Sequence, residues 1–281
     1  MSKTIAYQGV AGAYSEQACK NAYPEYKTIA CDTFQEAMWM VEEGDADLAM
    51  IPLENSTAGR VEEIYRLIPK ISLHVIGEHF EPVVHCLLAL KGAKADALKS
   101  VASHPQALAQ CHNHILELGL RAEAKFDTAG SAKELSLSGN KQSAAIASKL
   151  AAKIYDLQII KEHFEDMHGN TTRFFILSRD KQIPHYDPSK RYITSLLFQV
   201  KNIPAALYKV LGGFATNGIN LLKIESYMGA QQVKGSQFHI DIDGHSDAEA
   251  MKLALSELAF FAEDVRILGV YESHRKGDRV S

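Results

Sequence analysis

Cysteine is scarce in this chain: Cys19, Cys31, Cys86 and Cys111 are all it has, and no two form a C-x-x-C pair. That spacing argues against a disulfide framework and against a cysteine zinc site, and it leaves the thiols as small buried hydrophobes. Basic residues do not gather into runs and the formal net charge is -4, so the electrostatic footprint of a nucleic-acid binder is missing. No apolar stretch approaches the roughly 18 residues of a membrane-spanning helix, which excludes a membrane partner of that kind. The opening residues, MSKTIAYQGV, enter a strand-like segment at once, without the charged and then apolar regions of a secretory leader, and so predict a cytoplasmic protein. Fingerprints for flavin, nicotinamide and pyridoxal groups are missing, as is a serine–histidine nucleophile elbow, so neither a cofactor nor a metal is expected. Twelve histidines include the CHNH run Cys111–His114. On a helix, positions 112 and 114 point to different sides, whereas chelating pairs sit at i, i+3 or i+4, and the run reads as a solvated face.

What is present is apolar content for real cores, 46% of 281 residues, in a length that suits two domains at roughly 100–200 residues each. The first part alternates β-rich runs with helical patterns: TIAYQG then SEQACKNAY, ADLAMIPL then GRVEEIYRLI, SVASH then PQALAQCHNHILEL, SAAIAS then KLAAKIYDL. Such alternation predicts an α/β architecture with mainly parallel strands, in which ligands collect beyond the carboxyl ends of strands. The charged, proline-bearing stretch SRDKQIPHYDPSKR breaks the pattern and sets a boundary near Asp187. Beyond it the order reads strand (193–200), helix opened by Pro204, strands through INLLKIESYM and QFHIDID, helix from about Asp247, and a last strand VRILGVY. This βαββαβ order is the ferredoxin-like arrangement.

Five polar clusters fall at the predicted strand-to-helix junctions. YQGVAGAYS supplies Gly9 and Gly12, which serve either a tight turn or a helix N-terminus left free for an anion. PLENSTAG offers Glu54, Asn55, Ser56 and Thr57, more polar groups than one helix cap needs, and Asn55 can both donate to and accept from a ligand. In SHPQALAQC, Ser103 ends a strand, Pro105 suits the first helical position, and Gln106 and Gln110 share one helical face. DTAGSAKE contains Ser131 and Glu134 at capping-box spacing, with N–H groups of 130–132 as an alternative anion site. In NTTRFFIL, Arg173 beside an apolar strand is costly to bury alone, so a bound carboxylate is its natural counterion. Together these groups describe a pocket for a small anion.

Read in order, GAYSEQA, PLENSTAG, SHPQALAQC, DTAGSA, AAIAS and NTTRFFIL make the sequence resemble the prephenate dehydratase family, whose members convert prephenate to phenylpyruvate in L-phenylalanine biosynthesis. The resemblance covers nearly the whole chain. It implies a catalytic domain over residues 1–182 with a two-lobed α/β fold like that of periplasmic binding proteins. One lobe is expected over about 1–77 and 165–182, the other over about 78–164, with the active cleft between them. It ties Thr172 to catalysis and makes Glu54, Asn55, Ser56, Thr57, Ser103, Gln106, Gln110, Ser131, Arg173 and Phe174 the expected substrate-binding set.

Residues 192–273 resemble an ACT regulatory domain, an α+β ferredoxin-like module that binds L-phenylalanine as a feedback inhibitor. Asn202, Ala205, Ala206, Leu207, Glu225 and Ser226 are the expected contacts. The family's PGAL appears here as PAAL (Pro204–Leu207) and its ESRP as ESYM (Glu225–Met228), which adds a methyl where a ligand or partner backbone approaches and removes a charge and a rigid turn. The resemblance further implies a homodimer or homotetramer, and the monofunctional form without a mutase segment ahead of the first strand. Two other readings stay open: arogenate dehydratase, and a non-enzymatic sensor of small anions or amino acids, because a fold does not fix a function.

Overall fold

The alternation read from the sequence builds two mixed sheets, followed by a third that is wholly antiparallel. The computed structural model describes residues 2–227 and 236–275. The chain opens with β1 (Thr4–Gln8), α1 (Tyr14–Ala22), β2 (Lys27–Cys31), α2 (Phe34–Glu43) and β3 (Leu48–Asn55), then β4 (Gly59–Arg60), α3 (Glu62–Leu67) and β5 (His74–Pro82). It continues with β6 (Cys86–Ala89), β7 (Ser100–Ser103), α4 (Pro105–Gln110), α5 (His112–Glu117), β8 (Arg121–Ala124), α6 (Thr128–Ser138), β9 (Ser143–Ala147), α7 (Lys149–Ile154), β10 (Gln158–Lys161) and β11 (Thr171–Ser178). Last come β12 (Tyr192–Val200), α8 (Ala206–Thr216), β13 (Leu221–Tyr227), β14 (Gln237–Asp243), α9 (Glu249–Phe261) and β15 (Ala262–Glu272). The strand orders are β2-β1-β3-β11-β5 with β4 on β3, then β10-β6-β9-β7-β8, then β13-β14-β12-β15.

The expectation of mainly parallel strands is corrected by the pairing. β1 with β2, β7 with β8 and β7 with β9 run parallel, but β6 runs antiparallel to both β9 and β10, and β4 folds back on β3. Parallel neighbours need a crossover connection, usually a helix. β4 follows β3 through a short turn and so runs antiparallel to it, whereas β6 pairs with β9 and β10, strands far along the chain, so no crossover from the strand before it sets its direction.

Packing divides the chain into two compact units, one of residues up to Met40 with Ala49–Val61 and Phe80–Phe174, the other of Val41–Leu48, Glu62–His79 and Phe175 onward. In the first, alternate residues of β6 and β9 serve opposite faces of their sheet. Leu87, Ala89, Ala144 and Ile146 pack with Val101, Ile115 and Phe164, while Cys86, Leu88, Ala145 and Ala147 pack with Ala132, Leu135 and Ala151. Coverage on both faces is why these strands read as continuous apolar runs rather than as alternating ones. The four cysteines are free and buried, the small buried hydrophobes that their spacing suggested.

In the second unit the βαββαβ order expected beyond Asp187 is present, with β12 antiparallel to β14 and β15, and β13 antiparallel to β14. Leu196, Phe198 and Val200 of β12 meet Val210 and Phe214 of α8 and Met251, Ala254 and Leu258 of α9. The opposite face lies so close to β5 that a Cβ on Gly269 would stand 1.8 Å from the Val75 carbonyl oxygen, a position only glycine fills. Met228, the end of the ESYM stretch, lies outside the described residues.

Helix α8 begins at Ala206 rather than Pro204, and its N-cap Ala205 is left-handed at φ 59. An L-residue with a Cβ pays about 1–2 kcal/mol for that conformation, which glycine adopts freely. Ala205→Gly is therefore expected to raise unfolding free energy by about 0.5–1 kcal/mol, part of the relief being offset by the freer unfolded chain. Urea melts of the two proteins check this, and an unchanged or lower midpoint would refute it.

Candidate active site

PLENSTAG does not form the expected strand-to-helix junction. Its polar residues close a hairpin between β3 and β4, because the Asn55 side-chain carbonyl accepts the backbone N–H groups of Thr57 at 3.0 Å and Ala58 at 2.9 Å, a local turn that competes with helix formation. Ser56 fastens this turn to the start of β11: its N–H donates to the Thr171 carbonyl at 2.9 Å, and its hydroxyl accepts the Thr171 N–H at 3.0 Å.

A cavity of about 230 Å³ opens beside the turn. Asn55 from β3, Thr172 and Phe174 from β11, Gln106 and Gln110 from α4, Tyr14 from α1, and His85 and Asn170 line it. Strand geometry decides which motif residues reach it, since neighbours along a strand point to opposite faces. Thr172 and Phe174 face the cavity, and Arg173 between them turns away, 2% exposed, with Nη1 3.2 Å from Glu54 Oε1. Glu54 precedes Asn55 on β3 and turns away for the same reason. The expected substrate carboxylate at Arg173 is thus replaced by a carboxylate of the chain.

The polar groups that do face the cavity form one hydrogen-bonded chain whose polarity can be worked out from the backbone. The N–H groups of Thr57 and Ala58 fix Oδ1 of Asn55 as the acceptor, so Asn55 Nδ2 donates to Asn170 Oδ1 at 2.6 Å and to Thr172 Oγ1 at 3.0 Å. Asn170 must then present Nδ2 to Gln110 Oε1, at 3.0 Å. Gln110 Oε1 is therefore an acceptor, and His85 Nε2, 2.8 Å away, carries the proton. The Tyr14 hydroxyl ends the series, 2.8 Å from His85 Nδ1, with its one hydrogen shared between that nitrogen and the Val84 carbonyl at 2.9 Å. Burial holds the His85 pKa below the ordinary histidine value, outweighing the opposite pull of Gln110 and Glu165, in keeping with the neutral ring this series requires.

Two groups of this series keep a donor function for a guest that none of its own bonds uses, beside the second hydrogen of Asn170 Nδ2. Gln110 Nε2 is buried and has no hydrogen-bond partner among the described residues. Thr172 Oγ1 already accepts from Asn55, so its own hydrogen is available to the cavity. A second cavity of about 440 Å³ adjoins through Gln106, Gln110 and Asn170 and includes Thr57, Asp166 and Met167.

The other expected residues lie outside these walls. Ser103 is fully buried and donates to the Ile146 carbonyl at 2.7 Å. Ser131 lies inside α6 and donates to the Asp127 carbonyl at 2.7 Å, so the predicted capping box with Glu134 is not formed. Asp127 caps α6 by accepting the Gly130 N–H, which also removes that group from any anion site, while Glu134 pairs with Lys125. The Gly12 N–H is likewise taken, by Glu16 Oε2 at 2.7 Å, and a Cβ on Gly12 would stand 2.8 Å from Ala151 Cα, so this turn serves close packing on α7. His112 is exposed as expected, but His114 is not a solvated residue: its Nδ1 lies 3.0 Å from the Phe164 carbonyl and 3.2 Å from Asp166, and its ring stacks on Phe164. In the second unit, Asn202, Ala205 and Ser226 are exposed, Ala206 is buried, Leu207 is half-buried, and half-buried Glu225 lies 3.7 Å from Lys223.

Sequence reasoning missed Tyr14, His85 and Asn170. Tyr14 and Asn170 stand within quoted motifs, and His85 carried a signal of its own, an imidazole inside the apolar run PVVHCLLAL. The bridging place of Asn170 gives a test. Asn170→Ala leaves Asn55 and Gln110 each short of a partner, and about 1–3 kcal/mol of stability should be lost. A double-mutant cycle with Asn55→Ala, read by urea unfolding, should show coupling of roughly 0.5 kcal/mol or more; additive losses would dissolve the network.

A family model described as prephenate dehydratase matches residues 5–182. A bifunctional N-acyl-homoserine lactone acylase/prephenate dehydratase of Komagataeibacter europaeus is 45% identical over 270 residues, covering 96% of this chain and 95% of that protein. Arogenate dehydratase/prephenate dehydratase 2 of Arabidopsis thaliana, chloroplastic, is 40% identical over 276 residues, covering 95% and 72%. Among solved structures, prephenate dehydratase of Arthrobacter aurescens in complex with L-Phe superposes with a TM-score of 0.90 at 29% identity, covering 99% of this chain and 92% of that one. The fold is thus the periplasmic-binding-protein-like one of these enzymes, with mixed sheets. With the family model spanning both mixed sheets and relatives matching nearly end to end, the chain belongs to the prephenate dehydratase family.

Proposed function

We propose that this chain is a carbon–oxygen lyase that removes carbon dioxide and the ring hydroxyl from prephenate to give phenylpyruvate, with Thr172 and Gln110 as the groups that meet the substrate. The observation that carries the reading is the hydrogen-bonded series from Tyr14 to Thr172, which leaves one hydroxyl and one amide as donors toward the cavity. Loss of carbon dioxide supplies the electron pair that aromatises the ring, and the departing hydroxyl leaves as water after gaining a proton. Positioning of a bound substrate can lower the barrier by about 7–11 kcal/mol, whereas a placed general acid contributes about 10²–10⁴-fold, so orientation contributes more than proton donation. Thr172, a poor acid, stabilises the leaving oxygen by donating a hydrogen bond; the bond it accepts from Asn55 fixes its direction and strengthens it as a donor.

The Gln110 amide, with Gln106 on the same helical face, takes the carboxylate-binding role expected of Arg173. Arg173 acts through Glu54, holding β3 and β11 so that Asn55 and Thr172 stay within reach of each other. Among the described residues the lining holds amides, hydroxyls, imidazoles and apolar groups and no carboxylate to meet an ammonium, which suits a keto acid. Arogenate, named for the Arabidopsis relative, differs by an ammonium and is the second substrate to compare.

Residues 1–182 are proposed as the catalytic domain, with lobes of about 1–77 plus 165–182 and 78–164, and residues 192–273 as an ACT regulatory domain. The βαββαβ order and the L-Phe complex of the Arthrobacter relative support L-phenylalanine as its ligand, near Asn202, Ala205–Leu207, Glu225 and Ser226. The edge strands β13 and β15 offer surfaces for pairing into a dimer or tetramer in the cytoplasm.

Incubation of the purified chain with prephenate and with arogenate, side by side, tests the assignment: conversion of prephenate to phenylpyruvate should show a higher kcat/KM than conversion of arogenate to phenylalanine, and the reverse order, or conversion of neither, would overturn it. Thr172→Val should lower kcat by about 10²–10³-fold with little change in KM, as expected for a lost transition-state donor, whereas Gln110→Leu should act mainly on KM. Equal effects of both variants on both parameters would refute this division of roles.

A further inference from the structure

Residues 163–168 read His-Phe-Glu-Asp-Met-His, and of these Asp166 and Met167 line the second cavity while His163, Glu165 and His168 line neither. The Nδ1 atoms of His163 and His168 lie 3.1 Å and 3.3 Å from the same oxygen, Oε1 of Glu165. One potential ligand atom from each of the three residues lies within 4.8 Å of the other two. We propose that His163, Glu165 and His168 form a binding site for a divalent late transition-metal ion, of which Zn²⁺ is the probe.

The separations from the carboxylate are close to those an ion requires. With metal–nitrogen and metal–oxygen bonds of about 2.0–2.2 Å, a tetrahedral ion holds neighbouring ligand atoms roughly 3.3–3.6 Å apart, so each ring needs to move from Oε1 by only a few tenths of an ångström, and rotation of the rings sets the distance between their nitrogens. Both are free to do so, their side chains being 57% and 73% exposed, and that exposure leaves the remaining coordination positions to water. The carboxylate is the fixed element. Its side chain is 4% exposed, and Oε2 accepts the His85 N–H at 2.8 Å, so Oε1 alone is turned toward the rings. A backbone partner that orients a ligating carboxylate in this way is a regular part of metal sites.

The donor set selects the class of ion. Two imidazoles with one carboxylate suit Zn²⁺, Ni²⁺ or Cu²⁺, whereas Mg²⁺ and Ca²⁺ call for oxygen ligands. Histidines hydrogen-bonded to a carboxylate would show the same distances, and the experiment separates the two. The run is fastened to the cavity wall, since the Phe164 N–H donates to the His85 carbonyl at 2.8 Å and the Asp166 N–H to the Gln110 carbonyl at 2.7 Å. A bound ion would therefore brace the segment that carries His85 and Gln110. The site itself does not rest on the dehydratase reading.

Isothermal titration of the untagged full chain with ZnCl₂ should show one ion bound per chain, and MgCl₂ should be silent. His163→Ala and His168→Ala, both at exposed positions and with unchanged circular dichroism, should each weaken Zn²⁺ binding by about tenfold or more. CoCl₂ should give a visible d–d absorption band that both variants lose. Absence of Zn²⁺ uptake, or uptake undiminished in both variants, would overturn the site.

Discussion

Two backbone N–H groups, those of Thr57 and Ala58, set the polarity of the cavity. By donating to Asn55 Oδ1 they leave Asn55 only its amide nitrogen to offer, and each later partner follows: Asn170, Gln110, His85 and Tyr14 in one direction, Thr172 in the other. Reversing any one amide would face like against like in a buried place, at a cost of about 1–3 kcal/mol for each group left unmatched. The arrangement presents the Thr172 hydrogen and the Gln110 amide to a cavity whose lining, among the described residues, holds no Asp, Glu, Lys or Arg. A hairpin turn in one motif thus determines what a helix side chain more than fifty residues later can donate.

The same strands separate the charged pair from the chemistry. Glu54 and Asn55 are neighbours on β3, Arg173 and Thr172 on β11, and the pleat sends one of each pair to either face. On the face away from the cavity the guanidinium is buried against Glu54, where its loss would leave a carboxylate without this partner. Thr172, Arg173 and Phe174 therefore combine two tasks that a strand must place back to back: fastening β11 to β3, and presenting a hydroxyl and a phenyl ring to the cavity.

Much of the fold was legible because its signals are local. Strand runs bounded by turn residues and the amphipathic helices α8 and α9 follow from side-chain periodicity, which is set within a few residues, and the βαββαβ order beyond Asp187 was readable from them. The direction of β6 was not, since pairing partners are chosen across the chain and an apolar run of four residues carries no sign of which way its neighbours run. Capping misled in a similar way. Ser131 and Glu134 have capping-box spacing, yet Asp127, four residues earlier, offers a carboxylate to the same helix end and takes it.

The candidate site divides along the same line. Composition and motif alone set the cysteine spacing that argued against a disulfide framework, the polar residue types expected at the ends of strands, Asn55 and Gln110 among them, and the family resemblance that singled out Thr172, because these depend on residue identity and short spacing. Tertiary structure decided that Arg173 meets Glu54, that Ser103 and Ser131 serve the backbone, and that His85, Tyr14 and Asn170 join the site. Hydrogen bonds of a few ångströms between residues as far apart as 55 and 170 have no counterpart in linear spacing, and only the folded chain selects among the partners that each donor could take.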